Sequence, residues 1–311
     1  MDLPGKGMRN LLKRGLNSVH PATGILFHVI FILYTILCIV PIFLVVAVSF
    51  SDELTVIANG YQFIPEKFST YAYEFLFKDS TQIMRSYGVT ILVTVTGTLL
   101  GVSMMALYAY PLSRSDLPFR GPLAFFVFFT MLFNGGLVSF YLVYVRMLGL
   151  KNSLWALILP LLVAPFFILV MRTFFKNIPS ELIEAAKIDG AGEFRIAGVI
   201  IFPLSVPILA TVALFTVLNY WNDWFLSLLF ISDDKKVSLQ YLMYKTMLNI
   251  QYLTSNSQAA QGIAQGGSAV ELPSETIRMA MCVVGIGPIV FAYPFFQRYF
   301  VKGLLIGAIK G

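Results

Sequence analysis

Long apolar runs alternate with short polar intervals along almost the whole chain. A helix needs about 20 mostly apolar residues to cross the hydrocarbon core of a bilayer. Six runs reach that length, and each is predicted to be a helix because backbone in lipid must satisfy its own hydrogen bonds. The predicted spans are Val29–Phe50, Tyr87–Tyr110, Leu123–Val145, Leu154–Met171, Val199–Trp221 and Ile277–Phe296.

The polar intervals fall into two sets on opposite sides of the predicted membrane. Lys and Arg are more frequent in the first set, which predicts that this set is cytoplasmic and that both termini are inside. It holds the amino-terminal segment 1–28, the loop 176–198 and the tail 298–311. The second set holds the long segments 51–86 and 222–276, which are predicted to be extracellular. Residues 29–297 form one transmembrane domain.

Composition supports an all-α membrane protein. The chain is 58% hydrophobic and only 12% charged, whereas a soluble domain carries roughly 25% charged residues. Its basic residues are scattered through short connections, so they indicate membrane orientation and not nucleic-acid binding. Cys38 and Cys282 both lie in apolar runs, which predicts small buried side chains and neither a disulfide nor a metal site.

Ionisable residues are almost absent from the middle of the predicted spans. Ion-coupled transporters usually hold a buried carboxylate, histidine or lysine there, so an ion-driven mechanism is disfavoured and energy is expected from elsewhere. Several prolines and the Asn134-Gly135-Gly136 sequence interrupt the apolar runs. They predict either ordinary helix kinks or broken segments that line a pathway.

The interval 176–198 is the longest interior polar interval of the predicted cytoplasmic side. Ser180 and Glu181 favour a helix start, and Gly190 permits a sharp turn after a short amphipathic helix. Such a helix suits either the lipid headgroup region or a protein groove, since Ala185 and Ala186 allow close approach. Physical reasoning alone leaves these two alternatives open.

The same interval resembles the EAA signature of ABC importer permeases. The match is Glu184-Ala185-Ala186, three residues, Gly190, nine residues, Ile200, one residue and Phe202-Pro203, with Phe202 where the family usually has leucine. The resemblance implies the type I ABC importer permease fold, with a cytoplasmic coupling helix seated in a cleft of an ATPase. The coupling residues it implies are Glu184, Ala185, Ala186, Asp189, Gly190 and Pro203.

The resemblance extends over nearly the whole chain. The ending Gln297–Gly311 looks like the tail of maltose-type permeases of the second, six-helix kind, which implies that Lys302, Gly303, Lys310 and Gly311 contact the ATPase dimer. The segments 133–137 and 148–160 look closest to the subgroup that imports complex oligosaccharides, such as pectin- or alginate-derived fragments. The implied location is the bacterial inner or plasma membrane.

No Gly-x-x-x-x-Gly-Lys-Ser/Thr sequence occurs, so a phosphate-binding loop is not encoded in this chain. We expect no catalytic residue, no metal site and no cofactor bound here, with ATP and magnesium acting in a partner ATPase. The resemblance implies a heterodimer with a second related permease, two cytoplasmic ATPase subunits and an extracellular solute-binding protein. Lipid is the other partner, and no nucleic acid is expected.

Polar and aromatic residues near two span ends are candidates for the substrate pathway. Aromatic faces stack on sugar rings, and amide groups bond hydroxyls, but tyrosine and tryptophan are also expected at any membrane interface. The candidates are Asn134, Tyr220, Trp221, Asn222 and Trp224. The Ser- and Gln-rich loop 255–270 is predicted either to probe the binding protein or to be a flexible connector.

Three other functions remain as alternatives at this point. One is an ABC permease for a solute that is not a sugar, another is an ion-coupled secondary transporter, and the third is a membrane-bound enzyme. The missing charges within the spans disfavour the second, and no nucleophile–base pair or metal-ligand spacing supports the third.

Overall fold

A computed structural model describes residues 21–255 and 275–297 of the protein. Within these ranges the regular secondary structure is helical, apart from one isolated antiparallel bridge between Ser51 and Phe68, and irregular connections join the helices. The α-helices are Pro21–Ser49, Glu53–Asn59, Tyr71–Leu76, Ser80–Ser113, Arg120–Leu132, Gly136–Leu142, Trp155–Ile158, Pro165–Lys176, Ser180–Ile188, Glu193–Ile196, Phe202–Leu204, Val206–Trp221, Phe225–Phe230, Leu239–Ser255 and Glu275–Ile286.

Three of the predicted spans are helices long and apolar enough to cross a membrane. They lie in Pro21–Ser49 (span 1), Ser80–Ser113 (span 2) and Glu275–Gln297 (span 6). Spans 1 and 2 extend beyond their predicted bounds, because hydropathy marks the part in lipid while helical hydrogen bonding continues through the polar residues beside it.

The other three predicted spans are each divided at a break, so they show the second of the two alternatives, broken segments. Span 3 joins Arg120–Leu132 to Gly136–Met147 with a bend of 113°. Span 4 joins Trp155–Leu161 to Pro165–Lys176 at 51°, and span 5 joins Glu193–Leu204 to Val206–Trp221 at 80°. With each bent pair counted as one span, the described residues contain up to six spans.

Residues at the breaks explain why they occur there. The break in span 3 falls on Phe133, Asn134 and Gly135, and the positive φ of Gly136 suits glycine. Pro165 begins the second helix of span 4 and cannot donate to the preceding turn. In span 5 a π-helical turn, Ala197–Ile201, precedes the helix that contains Pro203. Pro165 and Pro203 therefore lie at broken segments, whereas Pro41 and Pro111 lie inside continuous helices.

Span 2 lies at the centre of the fold, packed against spans 4 and 5. Gly97 and Gly101 face these spans, and a Cβ at Gly101 would lie 2.6 Å from the carbonyl oxygen of Leu162. A Cβ at Gly97 would overlap the ring of Tyr220. Span 1 is exposed along most of its length and meets span 6 near its end. It is therefore available to lipid or to a partner chain.

The two segments predicted to be extracellular contact each other. The carboxylate of Glu53 accepts hydrogen bonds from the backbone N–H groups of Glu275 and Thr276, both at 2.9 Å. Tyr61 Oη donates to Glu275 at 2.6 Å. Within 222–276 the structure adds the helix Leu239–Ser255, which the sequence analysis did not predict. These bonds hold the start of span 6 against the segment after span 1.

The exposure of the two cysteines differs from the prediction. Cys38 and Cys282 are both exposed in the isolated chain, although each lies in an apolar span. A single chain leaves its lipid-facing and partner-facing surface open, so an apolar neighbourhood along the sequence does not guarantee burial within the chain.

Candidate functional site

The helix Ser180–Ile188, called the coupling helix below, ends in a Schellman turn. Gly190 adopts φ +78°, the N–H of Gly190 donates to the carbonyl of Lys187 at 3.0 Å, and that of Ala191 donates to Ala186 at 2.9 Å. These two bonds satisfy carbonyls that a helix end otherwise leaves free. A left-handed residue is required for this turn, and only glycine adopts it without steric cost.

One side of the coupling helix packs on the membrane domain. Ile183 and Ala186 are buried in an apolar cluster with Leu112, Met171 and Phe175 from the ends of spans 2 and 4. Two small or branched apolar side chains thus fix the helix directly on two spans. Ala186 faces the chain's own core, so its small size serves contact within this subunit.

The opposite side of the coupling helix faces outward. Glu184, Ala185, Asp189 and Gly190 are exposed, and Ile188 is 87% exposed. An apolar side chain this exposed beside a rigid turn is unfavourable in water, so the surface suits a protein groove or lipid.

A network of charged groups ties the coupling helix to two neighbouring segments. Lys187 Nζ lies 3.1 Å from Asp116 Oδ2, in the connection between spans 2 and 3, and 2.9 Å from Glu193 Oε1, at the start of span 5. Arg114 pairs with Asp116 at 2.9 Å, and the hydroxyl of Tyr110 donates to Glu193. The neighbouring Arg114 and Lys187 lower the pKa of Asp116 to about 2. Each exposed pair contributes little by itself, but together they fix the orientation of the helix.

The charged network borders a cavity of about 340 Å³ between spans 2 and 5. Phe194 lines the same cavity and is 88% exposed. The sequence analysis missed Phe194, Asp116 and Tyr110. Phe194 carried a signal, because a large aromatic residue in a polar interval is unusual for a solvated loop. Asp116 and Tyr110 carried none, since they are far from the coupling helix in sequence.

The remaining predicted coupling residues lie elsewhere. Pro203 is exposed and sits beside the bend of span 5 at Ser205, away from the turn at Gly190. The predicted ATPase-contacting tail residues, Lys302, Gly303, Lys310 and Gly311, lie outside the described residues. So does nearly all of the loop 255–270. The structure therefore brings together Glu184, Ala185, Ala186, Asp189 and Gly190 only.

The five predicted pathway residues do not form one group. Tyr220 and Trp221 are 2% and 3% exposed and hydrogen-bond to neighbouring spans. Asn222 and Asn134 are exposed, and the side chain of Asn134 accepts from Gly136 N at 2.8 Å within its own turn. Trp224 lies against Tyr244 with ring centroids 4.4 Å apart. Asn134, Asn222 and Trp224 are the members with exposed surface.

Asp223, between Asn222 and Trp224, is a titratable group that the sequence analysis passed over. Burial raises its pKa to about 6, although the Leu226 N–H, 3.2 Å from Oδ2, favours the charged form. The usual value in an unfolded chain is about 3.9, so the fold prefers the protonated carboxyl. Stability is then lost as the pH rises from about 4 through about 6.

We therefore expect Asp223→Asn to raise thermal stability at neutral pH and to flatten its dependence on pH. Asparagine keeps an oxygen that accepts from Leu226 and carries no charge to desolvate. Thermal unfolding of the detergent-solubilised protein, measured from about pH 4 to about pH 7, checks this. A variant with the same pH slope as the original chain would contradict it.

Three broken membrane spans packed with a central continuous helix, and a short helix docked at the ends of spans 2 and 4, are typical of a membrane transport subunit. Comparison with known proteins identifies the family.

Residues 22–306 match the family of binding-protein-dependent transport system inner membrane components, and the chain belongs to this family. It is 40% identical over 282 residues to the polygalacturonan/rhamnogalacturonan transport system permease protein YtcP of Bacillus subtilis, covering 90% of this chain and 95% of that protein. It is 29% identical to the trehalose/maltose transport system permease protein MalG of Thermococcus litoralis, covering 90% and 94%.

A solved structure shares the fold. It is a chain of a bacterial ABC transporter involved in the import of the acidic polysaccharide alginate, with TM-score 0.74, 26% sequence identity and coverage of 96% of this chain and 100% of that one. The predicted ABC importer permease fold is confirmed, and the chain is a permease subunit, an inner-membrane component of an importer.

Proposed function

We propose that this permease carries oligosaccharides released from acidic polysaccharides of the pectin or alginate type. The observation that carries the proposal is the 40% identity over 282 residues to a polygalacturonan/rhamnogalacturonan permease, which is matched over 95% of its length. The fold match to a chain of an alginate importer points to the same class of cargo. Other relatives are permeases for neutral sugars such as trehalose and maltose, so acidity of the cargo is the feature to test.

The proposed assembly is a heterodimer with a second related permease, two ATPase subunits on the cytoplasmic side and an extracellular solute-binding protein. ATP and magnesium act in the ATPase subunits, and this chain is not itself an enzyme. Both termini are then cytoplasmic. Span 1 exposes apolar side chains along most of its length, which supports contact with lipid or with a partner permease. The coupling segment, residues 176–198, exposes Ile188 and Phe194, which supports contact with a partner protein outside the membrane.

We infer that the coupling segment transmits the motion of the ATPase subunits. Ile188 and Phe194 offer anchors beside the turn at Gly190, while Glu184 and Asp189 supply charge around them. The packing of Ile183 and Ala186 on spans 2 and 4, together with the ion pairs of Lys187, supports rigid transfer of force. Closure of the ATPase dimer would therefore move the ends of these spans and switch the side on which the pathway opens.

We expect oligogalacturonate to stimulate ATP hydrolysis by the complete complex reconstituted in lipid with its binding protein, by more than about tenfold over the unloaded binding protein. Alginate oligomers test the second acidic class, and maltotriose is the neutral control. Stimulation by maltotriose alone, or only by a solute that is not a sugar, would contradict the proposed cargo. Uptake driven by an ion gradient in vesicles without ATP would contradict the ATP-driven mechanism.

A further inference from the structure

Tyr220 and Trp221 are consecutive residues at the end of span 5, and each bonds a different neighbouring span. Tyr220 Oη donates to the carbonyl of Ile158 in span 4 at 2.7 Å. Trp221 Nε1 donates to the carbonyl of Gly285 in span 6 at 2.9 Å. Both side chains are almost fully buried. One end of span 5 therefore holds two other spans at once.

The carbonyl of Ile158 lies where the helical turn Trp155–Ile158 passes into the 3₁₀ segment Leu159–Leu161. In an α-helix this oxygen would accept from the N–H of Leu162, but that N–H bonds Leu159 instead, at 3.3 Å, in a 3₁₀ turn. A carbonyl oxygen has two lone pairs, so one that has lost its α-helical partner within a membrane is stabilised by a donor from another segment. The hydroxyl of Tyr220 is that donor.

Span 6 has a similar arrangement where its α-helix Glu275–Ile286 passes into the 3₁₀ segment Gly287–Phe291. Pro288 has no N–H, so the carbonyl of Val284, four residues earlier, loses its helical partner. Tyr87 of span 2 donates its hydroxyl to Val284. The next carbonyl, that of Gly285, precedes the 3₁₀ segment Gly287–Phe291 and accepts from Trp221. Side chains from spans 2 and 5 thus donate to span 6 where its helix changes from α to 3₁₀.

The surrounding residues fit these bonds closely. The ring of Tyr220 lies on Gly97 of span 2, where any side chain would overlap it. The ring centroids of Tyr87 and Trp221 are 6.5 Å apart, so the two side chains that donate to span 6 contact each other. The pair is therefore held in one position by spans 2, 4 and 6.

We propose that Tyr220 and Trp221 form a latch that joins span 5 to spans 4 and 6, so that these segments move as one body during transport. The other end of span 5 begins at Glu193, which bonds the coupling helix through Lys187. A displacement of the coupling helix is carried along span 5 and reaches spans 4 and 6 through the latch. The inference rests on the proposed ATP-driven import and gives these two residues a positioning role in place of sugar contact.

Tyr220→Phe and Trp221→Phe remove one N–H or O–H donor and retain an aromatic ring. In the complete reconstituted complex we expect uptake per ATP hydrolysed to fall about 3- to 10-fold in each variant, with ATP hydrolysis in the absence of sugar retained. Tyr108→Phe in span 2 and Trp155→Phe in span 4 are matched controls, because both side chains are exposed. They should leave uptake per ATP unchanged.

The result separates three roles for the pair. If the pair forms a latch, the variants take up less sugar per ATP hydrolysed even in correctly assembled complexes. Size-exclusion chromatography measures the amount of assembled complex. A role in stability alone lowers the amount of assembled complex and leaves uptake per ATP intact, which overturns the proposal. Sugar contact changes the concentration of loaded binding protein that gives half-maximal uptake, with uptake per ATP intact, and this result also overturns it.

A distance measurement tests the latch without any sugar. Spin labels at Lys151→Cys and Asn219→Cys report the separation of spans 4 and 5, in a chain whose Cys38 and Cys282 are replaced by alanine; both label sites are exposed. The distance distribution should be the same in the nucleotide-free and ATP-bound complex and should broaden in Tyr220→Phe. A distance that changes between the two states in the original chain would overturn the latch.

Failure of the latch and failure of the proposed import are distinguishable. If the import is wrong, the complex without latch substitutions hydrolyses no ATP in response to sugar-loaded binding protein. If only the latch is wrong, that complex is stimulated normally, and both phenylalanine variants keep its uptake per ATP.

Discussion

Gly190→Pro is expected to abolish uptake while the chain still inserts in the membrane. Gly190 adopts φ +78° and donates its N–H to Lys187, whereas proline is fixed near φ −65° and has no N–H to donate. The turn that presents the outward surface of the coupling helix cannot form. Uptake by cells or vesicles, normalised to the amount of membrane-inserted chain, measures the effect.

Gly192→Ala is the matched control for this substitution. Gly192 lies two positions further along the same turn, at φ −73° and with no atom within 4 Å of an added Cβ. Alanine fits there, so uptake should remain close to that of the original chain. Equal loss in both variants would indicate general sensitivity of the segment, and normal uptake in Gly190→Pro would exclude a coupling role for the turn.

A charge reversal tests the same surface without altering the backbone. We expect Glu184→Lys to abolish uptake, because the resemblance places Glu184 against the ATPase and the side chain is exposed on the outward face. Glu181→Lys, at an exposed position of the same helix, is the control and should retain most uptake. Co-purification with the ATPase subunits shows whether docking is lost. Undiminished uptake and docking in Glu184→Lys would argue against its role.

The second large effect concerns the glycines of span 2. We expect Gly101→Ala to destabilise the protein by about 1–3 kcal/mol, the usual cost of overpacking, since a Cβ would lie 2.6 Å from the backbone oxygen of Leu162. Gly97→Ala should have a similar effect, because its methyl group would overlap the ring of Tyr220. Lower melting temperature and lower yield of assembled complex are the measurements.

Gly88→Ala provides the comparison within the same helix. Nothing lies within 4 Å of a Cβ at Gly88, and alanine is favoured over glycine in a helix by about 1 kcal/mol. This variant should therefore be as stable as the original chain or more stable. If Gly97→Ala and Gly101→Ala behaved like Gly88→Ala, the close contact of span 2 with spans 4 and 5 would be incorrect.

Hydropathy predicted where the spans lie, but the bends within them depend on contacts with neighbouring segments of the fold. Length and apolar composition are sufficient to predict a crossing helix, which is why spans 1, 2 and 6 were found. The bends of 113° in span 3 and 80° in span 5 were not predictable in size. A proline or glycine permits a break, but the angle depends on which neighbouring groups bond the freed carbonyls, such as Tyr220 on Ile158.

The sequence predicted the position of the coupling helix, but it did not predict the environment of every candidate residue. The EAA resemblance and the composition of 176–198 located the coupling helix, and the turn at Gly190 has the conformation that glycine suggested. Ala186 was expected to face a partner but is buried against its own chain. Tyr220 and Trp221 were chosen as possible sugar contacts because aromatic residues at a span end suit that role. Their partners lie over 60 residues away in sequence, at Ile158 and Gly285.

The sequence by itself determined that this protein is an all-helical membrane chain with a polar docking segment and no phosphate-binding loop of its own. These properties depend on composition, on the lengths of the apolar runs and on the spacing of nearby residues, all of which are present in the sequence itself. Only the tertiary structure decided which faces are free and which polar groups close the breaks. The reason is physical: a buried carbonyl takes whatever donor the packed fold brings near it, and packing joins residues that are distant along the chain.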